Sequence, residues 1–324
     1  MKKWGIVVMV LLSARVVAAA PFDSRIQSII KESRISKADV SIYALTLPQN
    51  KVLADIDKDK ALNPASCMKL ITSAAALKIL GPNYQFPTRF YLVDTPEGKD
   101  LYVKGYGDPS FVIERMEAVV TDLIRTRLPS TLNNIFIDDN YFDKEGFPGR
   151  KEKSTRSYNA LTSAVALNHA AITVEVFPSE KVGSPADVVI DAPGTTVINL
   201  AKTGPVKSKG SIKIFKTYTK TGDAIKVTGN IPKNSDERKQ YFSVQNPSEH
   251  FGNTLKELLK GSGVNVLGGI EYAAIPNGAR LFYEEKSPFL SDVLKNMNKN
   301  SNNFMAEQIV KTLGAVKYSG QGTT

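Results

Sequence analysis

The chain has 324 residues, of which 42% are hydrophobic and 23% are charged. This length suits two or three modules with a packed core, and the composition excludes an intrinsically disordered chain. The 42 basic residues exceed the 32 acidic residues, for a formal net charge of +10. One cysteine and two histidines are too few for an internal disulfide or a Cys/His metal cluster, so we expect no metal and no cofactor.

The first predicted element is a secretory signal peptide at residues 1–20. Lys2 and Lys3 form its basic start, an apolar run follows, and Ala18–Ala20 supplies small residues for cleavage near Pro21. A membrane anchor is the alternative, although the run is short for a span of about 20 residues and Arg15 interrupts it. We therefore expect an exported protein that acts in the periplasm or at the cell envelope.

The next elements are a helix at 26–34 and two strands at 39–48 and 52–57, with a turn at Pro48–Asn50 between the strands. Asn63 and Pro64 are typical of a helix start, and "SCMKLITSAAALKIL" continues that helix up to Gly81. This helix is apolar on nearly every side, a pattern that predicts burial.

Residues 87–240 are predicted to form a mostly β inserted region with room for two subdomains. Its predicted strands are "RFYLV", "LYVKG", "NIFIDD", "AITVEVF", "DVVID", "SIKIF" and "AIKVTGNI". In its one long helix, "FVIERMEAVVTDLIRTRL", apolar residues at helical spacing share one face: Met116, Val119, Val120, Leu123 and Ile124.

Positive charge concentrates in two stretches, Lys144–Arg156 and Lys202–Lys226. The simple interpretation is a face in contact with water, and the sharper one is attraction to an anionic cell-envelope surface. Nucleic acid is an unsuitable partner for an exported chain without a binding motif.

Helices return in the last part of the chain, in "PSEHFGNTLKELLKGSG", "SPFLSDVLKNMNK" and "FMAEQIVKTLG", the last closed by Gly314. A polar elbow at Asn300–Asn303 separates the second from the third. The two histidines, His169 and His250, are predicted at the surface or in packing, because neither has the neighbours of a catalytic triad.

Ser66 and Lys69 are the first candidate catalytic residues, because residues i and i+3 share one face of a helix. A serine hydroxyl becomes a strong nucleophile when a base takes its proton, and a buried lysine that loses its own proton is such a base. Free N–H groups of the first helical turn can stabilise an oxyanion. Cys67 is a rival nucleophile, but it lies on another face and is interpreted as a small packing residue.

Ser301 and Asn303 are the second candidate pair. If the elbow is extended, its alternate residues face one side, so both side chains enter one cleft. Ser301 could relay a proton to a leaving amine, and Asn303 could hold a peptide carbonyl or Lys69. S-x-x-K followed by S-x-N is the pattern of penicillin-interacting serine enzymes.

The resemblance extends beyond these four residues. "LNPASCMKLITSAAALKILGPNYQFPT" resembles the nucleophile segment of class C low-molecular-weight penicillin-binding proteins, the serine D-Ala-D-Ala carboxypeptidase/endopeptidase family. Later segments resemble that family's landmarks in order: "VKGYGDPSF", "IDDNYFD", "YNAL", "ALNHAAITVEVFP" and "LSDVLKNMNKNSNNFMAEQIVKTLG".

The resemblance implies an α+β fold, in which residues 21–86 and 241–324 form a β-lactamase/transpeptidase-like domain with an incomplete sheet around the inserted region 87–240. It also implies a peptidoglycan hydrolase in which Ser66 forms an acyl-enzyme, Lys69 is the base, Ser301 is catalytic and Asn303 binds substrate. The implied partners are peptidoglycan stem peptides and, as inhibitors, β-lactams, with peripheral association with the cell envelope as a further option.

The sequence departs from the family pattern in three ways. The family's K-T-G motif follows S-x-N, whereas Lys202-Thr203-Gly204 precedes it and is interpreted as a turn. Asn302 stands where the family usually has aspartate. The chain also ends before the family's last segment, so we expect the 324-residue form to expose apolar surface, to leave Lys69 wetter and to have little peptidase activity.

Two other functions stay open. One is a catalytically incompetent, cell-wall-binding protein. The other is a secreted esterase that uses the same Ser-Lys pair, because S-x-x-K chemistry does not fix the substrate.

Overall fold

The computed structural model describes residues 19–147, 155–193, 195–219 and 222–323. The chain divides into two compact units, Met1–Ser66 and Cys67–Thr324. Residues 1–18, which carry most of the predicted signal peptide, lie outside the described residues, as do residues 148–154 of the first basic stretch. Every helix within the described ranges is too short or too polar to cross a bilayer.

The first unit contains helix α1 (Ala19–Glu32) and the strands β1 (Ile42–Leu45) and β2 (Val52–Ile56). The two strands pair antiparallel, with Ala44 opposite Ala54, so the predicted hairpin is confirmed with shorter strands. Helix α1 contacts strand β2, and it begins before the predicted helix at 26–34.

The second unit combines helices with several sheets, which confirms the predicted α+β class. Its described helices are α2 (Met68–Ile79), α3 (Ile113–Arg125), α4 (Pro247–Gly261), α5 (Leu290–Asn300) and α6 (Asn303–Gly314). Its described strands are β3 (Pro87–Thr95), β4 (Gly98–Gly105), β5 (Thr131–Leu132), β6 (Ile135–Asp138), β7 (Ala171–Phe177), β8 (Asp187–Ile190), β9 (Thr196–Gly204), β10 (Lys213–Thr219), β11 (Gly222–Pro232), β12 (Arg238–Ser243), β13 (Asn265–Val266), β14 (Ile270–Tyr272) and β15 (Arg280–Lys286).

A five-stranded sheet in the order β14-β6-β4-β3-β15 forms the largest layer of this unit. Helices α3 and α4 pack on it through one apolar core that includes Met116, Leu123, Phe251 and Leu255. The pairs β14–β6 and β6–β4 are parallel, and β4–β3 and β3–β15 are antiparallel. Strands before and after residue 240 thus share one sheet, while the predicted domain boundaries stay a prediction.

Two three-stranded sheets, β12-β7-β8 and β10-β11-β9, share a second core. Ile172, Val174 and Phe242 reach this core from the first sheet, and Ile225 and Val227 reach it from the second. Alternate residues of β7 therefore face inward, as expected for a sheet that covers a core on one face only. Its other face is available to solvent.

One prediction about these elements is wrong. Lys202-Thr203-Gly204 is the end of strand β9, which pairs in parallel with β11, and not a turn. Helix α6 ends at Gly314 as predicted, and a π-helix follows directly at Ala315–Ser319. In α3, Met116, Val119, Val120 and Leu123 are buried, and Ile124 is 39% exposed.

The predicted burial of helix α2 is also wrong for most of its apolar residues. Lys69, Ser73 and Ala76 are buried, and the exposed apolar residues are Met68, Leu70, Ile71, Leu77 and Ile79. An all-round apolar sequence indicated burial on all sides. Within the second unit, however, the substantial contacts of α2 are those with α5 and α6.

Candidate active site

Three helices that share a small core build the candidate site. Ala76 of α2, Leu294 and Met297 of α5, and Met305 and Ile309 of α6 belong to one buried cluster. The apolar side chains recur at spacings of three and four residues, which places them on one face of each helix. This packing fixes the first turn of α2 against the junction between α5 and α6.

The junction between α5 and α6 is a tight turn and not the extended elbow that the sequence suggested. Ser301 has left-handed backbone angles, φ 51° and ψ 37°, and its N–H donates to the carbonyl of Met297. The Asn302 side chain accepts a hydrogen bond from the N–H of Met305 at 3.0 Å and so caps α6. An asparagine serves this capping role as well as an aspartate does. Asn303 becomes the first residue of α6.

Lys69 and Asn303 come together although they are far apart in the sequence. The Lys69 Nζ donates a hydrogen bond to the Asn303 Oδ1 at 2.7 Å, which is one of the two contacts considered for Asn303. Lys69 is only 7% exposed, so the expectation of a wetter lysine is wrong for this chain. The Asn303 Nδ2 donates to the carbonyl oxygen of Tyr158 at 3.5 Å. The amide of Asn303 therefore bridges the lysine and the segment around Tyr158.

A second hydrogen-bonded chain holds the backbone of Lys69. The Ser73 hydroxyl donates to the Lys69 carbonyl at 2.8 Å, and the Asn298 Nδ2 donates to the Ser73 Oγ at 3.0 Å. Ser73 and Asn298 were not among the predicted site residues. The i, i+4 spacing of Ser73 from Lys69 was the one signal in the sequence, since it places both on one face of α2.

Ser301 and Asn303 line a cleft of about 600 Å³. Tyr158 and His169 line the same cleft. Burial lowers the pKa of His169, and Asp108 raises it by a smaller amount. The His169 ring lies edge-on to Phe304, with 6.1 Å between ring centres. The interpretation of His169 as a packing residue is therefore incomplete, because it also borders the cleft.

Ser66 lies in a short 3₁₀ helix, Ala65–Cys67, and is exposed. The Asn63 Oδ1 accepts a hydrogen bond from the N–H of Ala65 at 2.9 Å, which supports the start of this turn. Ser66 is the last residue of the first unit, and Lys69 belongs to the second. Their pairing, like the catalytic role of each predicted site residue, stays a prediction. Cys67 is a free, exposed cysteine and not the packing residue that was expected.

The tripeptide Lys202-Thr203-Gly204, which the sequence analysis rejected as the family's K-T-G motif, does not line this cleft. Thr203 is 1% exposed, and its side chain exchanges a hydrogen bond with the Ser179 hydroxyl at 2.9 Å. Lys202, Thr203 and Gly204 are absent from the lining of the cleft. This absence agrees with the rejection of the tripeptide as a substrate-binding motif, although the tripeptide lies in a strand and not in the expected turn.

Comparisons with known proteins extend the resemblance to nearly the whole chain. The chain is 29% identical over 315 residues to a D-alanyl-D-alanine carboxypeptidase of Actinomadura sp. (strain R39), covering 92% of this chain and 58% of the relative. It is 22% identical over 291 residues to penicillin-sensitive carboxypeptidase A of Dictyostelium discoideum, covering 82% of this chain and 55% of the relative.

The fold matches the crystal structure of penicillin binding protein 4 from Haemophilus influenzae. The TM-score is 0.67 at 19% identity, with 86% of this chain and 63% of that chain covered. The same protein in complex with a β-lactam gives a TM-score of 0.61 at 19% identity, with 85% and 61% covered. This chain thus spans between half and two thirds of the length of these relatives.

The match to a family description decides the assignment, because it extends over residues 22–324 and includes all four predicted site residues. The chain belongs to the D-Ala-D-Ala carboxypeptidase 3 (S13) family.

Proposed function

We propose that this protein is a serine-type peptidoglycan hydrolase that cleaves D-Ala-D-Ala or cross-bridge peptide bonds. The observation that carries the proposal is the partly buried hydrogen bond between Lys69 and Asn303, since it joins the S-x-x-K and S-x-N motifs. Family membership and the fold of a penicillin binding protein support it. The relatives named above are carboxypeptidases, which favours this substrate class over a simple ester.

In the proposed first step, the Ser66 hydroxyl attacks the carbonyl carbon of the scissile peptide bond. Lys69 takes the hydroxyl proton, a role open to a lysine that is held away from water. A C–O ester bond forms to Ser66 and the C–N bond breaks. Ser301 passes a proton to the leaving amine, which departs as free D-alanine or as the amino end of a cross-bridge.

In the second step, water attacks the ester and releases the new carboxylate from Ser66. Asn303 orients Lys69 through its Oδ1 and can offer an amide hydrogen to the substrate carbonyl. β-Lactams would inhibit by forming the same ester with Ser66, and the β-lactam complex of the structural relative supports this expectation. These roles are proposals for the whole protein.

The test is release of D-alanine from a peptide that ends in D-Ala-D-Ala. We expect release by the chain with the C-terminal part of the Actinomadura relative appended, inhibition by penicillin, and much slower release by the 324-residue chain alone. Ser66→Ala should stop release in the extended form. Absence of release from both forms would favour the incompetent, wall-binding alternative, and cleavage of a simple ester alone would favour the esterase.

The proposed location is the periplasm or the cell envelope. It rests on the signal-like residues 1–20, which lie mostly outside the described residues. Exposed lysines on the sheet β10-β11-β9, among them Lys202, Lys213 and Lys226, are compatible with peripheral attraction to an anionic envelope. Fractionation of expressing cells, with N-terminal sequencing of the exported form, should find a chain that begins near Pro21.

A further inference from the structure

The cleft that contains Ser301 and Asn303 continues over the outer face of the sheet β12-β7-β8. Two rows of side chains form this surface, and the strand register aligns them. The first row is Lys239, Glu175 and Val189, and the second is Tyr241, Thr173 and Asp191. We call these six residues the cleft floor. Each alternates along its strand with a residue that faces the opposite side.

The charged groups of the cleft floor are compensated in place. Glu175 accepts a hydrogen bond from Lys239 and forms an ion pair with it. The Asp191 carboxylate accepts from the Thr173 N–H at 2.5 Å and from the Asn168 Nδ2 at 3.2 Å. Burial also raises the pKa of Asp191, against the opposing effect of the Thr173 hydrogen bonds. The surface therefore suits a neutral, hydrogen-bonding ligand better than an ion.

Glu114 and His169 border the cleft outside the cleft floor. Glu114 lies in the first turn of α3, at the border of the cleft. His169 has a pKa lowered by burial, so its ring is uncharged near neutral pH.

An aromatic ring stands on β12, at one side of this polar surface. Tyr241 is 51% exposed, and Val189, on β8 in the other row, is 53% exposed. The Lys239 Nζ lies 5.7 Å from the Tyr241 ring centre, which helps to hold the ring in place. An aromatic face next to several fixed polar groups is suited to a sugar ring, which offers C–H groups on its faces and hydroxyl or amide groups at its edge.

A peptide fits the same surface less well. Extended peptides bind sheets by adding a strand at an edge, where backbone groups are available, and β8 and β12 are the two edges of this sheet. The cleft lies over the face of the sheet, where side chains and not backbone groups are presented.

We propose that the cleft floor binds the N-acetylated sugar rings of the peptidoglycan glycan strand, next to the site at which the attached stem peptide is cut. Only the identity of the ligand rests on the proposed function, since the substrate of a peptidoglycan hydrolase carries both peptide and sugar. The sugar would lie on Tyr241, and Thr173 and Lys239 would contact its polar edge.

The experiment is isothermal titration of the purified protein with a tetramer of N-acetylglucosamine and, separately, with a free peptide ending in D-Ala-D-Ala. We expect the wild type to bind the tetramer and Tyr241→Ala to bind it at least tenfold more weakly. Phe215→Ala is the matched control, because Phe215 is 50% exposed on strand β10 and is absent from the cleft lining. It should bind the tetramer like the wild type, and the thermal unfolding midpoint reports that each variant is folded.

The results separate this proposal from the hydrolase proposal. Equal affinity of the wild type and Tyr241→Ala for the tetramer, or absence of tetramer binding by the folded wild type, overturns the sugar proposal. Equal loss of peptide and tetramer binding in Tyr241→Ala also overturns it, because the surface would then be a peptide site. Tetramer binding that depends on Tyr241, in a protein that penicillin does not acylate, supports the sugar site and contradicts the hydrolase.

Discussion

At the residue scale, the site depends on one lysine that is held out of water by its position on α2. Lys69 contacts a neutral amide, Asn303, and the backbone carbonyl of Lys69 is held by Ser73. Ser301 adopts a left-handed backbone conformation, which costs a non-glycine residue some energy. Such strained residues often lie at functional sites. The sequence alone indicated Lys69, Ser301 and Asn303 by type and spacing, but not Ser73.

We predict that Lys69→Met lowers the rate of acylation by penicillin at least 100-fold, and that Lys69→Arg lowers it somewhat less. Methionine keeps the packing but removes the base, and arginine stays protonated. The rate is measured by gel fluorescence with a labelled penicillin, in the form extended with a relative's C-terminal part. Lys78→Met is the control, because Lys78 lies in the last turn of the same helix and is exposed. Equal rates for the wild type and Lys69→Arg would rule out the role of base.

His250 predicts a dependence of stability on pH. Burial, with a smaller effect of Lys216, lowers the pKa of His250 to about 4. Its Nε2 is buried and has no hydrogen-bond partner among the described residues. An unfolded histidine has a pKa of about 6.5, so the unfolded chain binds more protons between about pH 6.5 and pH 4, and stability falls as the pH falls through this window.

Over this pH window, His250 alone accounts for a loss of up to about 3 kcal/mol in the free energy of unfolding. We predict that His250→Gln reduces the drop in the thermal unfolding midpoint between pH 7 and pH 4.5. The comparison of slopes is the measurement, because the variant can differ in absolute stability. Parallel curves for the two proteins would show that His250 is not the group responsible.

At the element scale, helix α6 contributes two functional or structural side chains. Asn303 of the candidate site is its first residue, and the buried Lys311 lies further along it. The Lys311 side chain is 1% exposed, and its Nζ contacts the Asp143 Oδ1 at 2.5 Å and the Glu145 carbonyl oxygen at 2.7 Å. This contact anchors the segment after strand β6 to α6. Phe142 directly precedes this segment, and the centre of its ring lies 5.9 Å from the Lys311 Nζ.

Lys311→Met should destabilise the second unit by about 3 kcal/mol, since removing one partner leaves the other charge without compensation. Lys317→Met is the control, because Lys317 is exposed in the following π-helix. The measurement is the thermal unfolding midpoint of each variant. A midpoint for Lys311→Met within 1 °C or so of the control would mean that the buried pair contributes little.

Gly105, at the end of strand β4, is predicted to tolerate no side chain. A Cβ atom there would overlap the carbonyl oxygen of Ala164, which is a backbone atom and cannot move aside as a side chain can. Gly105→Ala should lower the free energy of unfolding by roughly 1–3 kcal/mol, the usual range for overpacking. Gly261→Ala, at the end of α4 with open space around it, should be neutral in the same unfolding assay. A neutral Gly105→Ala would contradict this account of the strand end.

Among the secondary-structure elements, one helix was predictable from the sequence and two strands were missed. Helix α3 was predictable because Met116, Val119, Val120 and Leu123 recur at helical spacing and are all buried. Strand β9 was missed because its apolar residues do not alternate, with Val197 and Ile198 adjacent, and because K-T-G was interpreted as a turn. Strand β15, "RLFYEEK", was missed because its pairing with β3 depends on partners far away in the chain. Local patterns therefore predict helices better than sheets whose strands are distant in sequence.

The site was predictable in part for the same reason. Lys69 and Asn303 were named from motifs, and their contact follows from the shared core of α2, α5 and α6. Asn298 was not predictable, because its contact with Ser73 depends on how two distant helices cross. The cleft floor was likewise hidden, because the outer face of a sheet becomes visible only when the strand register is known.

At the scale of the whole molecule, exposed apolar surface is the most prominent feature. Tyr43, Leu47 and Val52 of the hairpin are 49%, 79% and 47% exposed, in agreement with the expectation of an exposed apolar face there. Leu70 and Ile71 of α2 are each 64% exposed. A two-stranded hairpin is marginally stable alone, and large apolar patches favour association.

We therefore predict that the purified 324-residue chain associates with itself or with a partner at micromolar concentration. Sedimentation velocity over a range of concentrations checks this directly. Leu70→Ser with Ile71→Ser should shift the distribution toward the monomer, whereas Lys78→Ser on the same helix should not. A monomer at all concentrations for the unchanged chain would contradict the prediction.

The central claim is that Ser66 is the residue that forms the acyl-enzyme. The most direct measurement is to treat the 324-residue chain and its extended form with a fluorescent penicillin, digest them, and map the adduct by mass spectrometry. The account predicts a single adduct on the Ser66 side chain itself, located by fragmentation of the peptide that also contains Cys67, and lost in Ser66→Ala. An adduct on Cys67 or Ser301, an adduct that persists in Ser66→Ala, or no adduct in either form would contradict it.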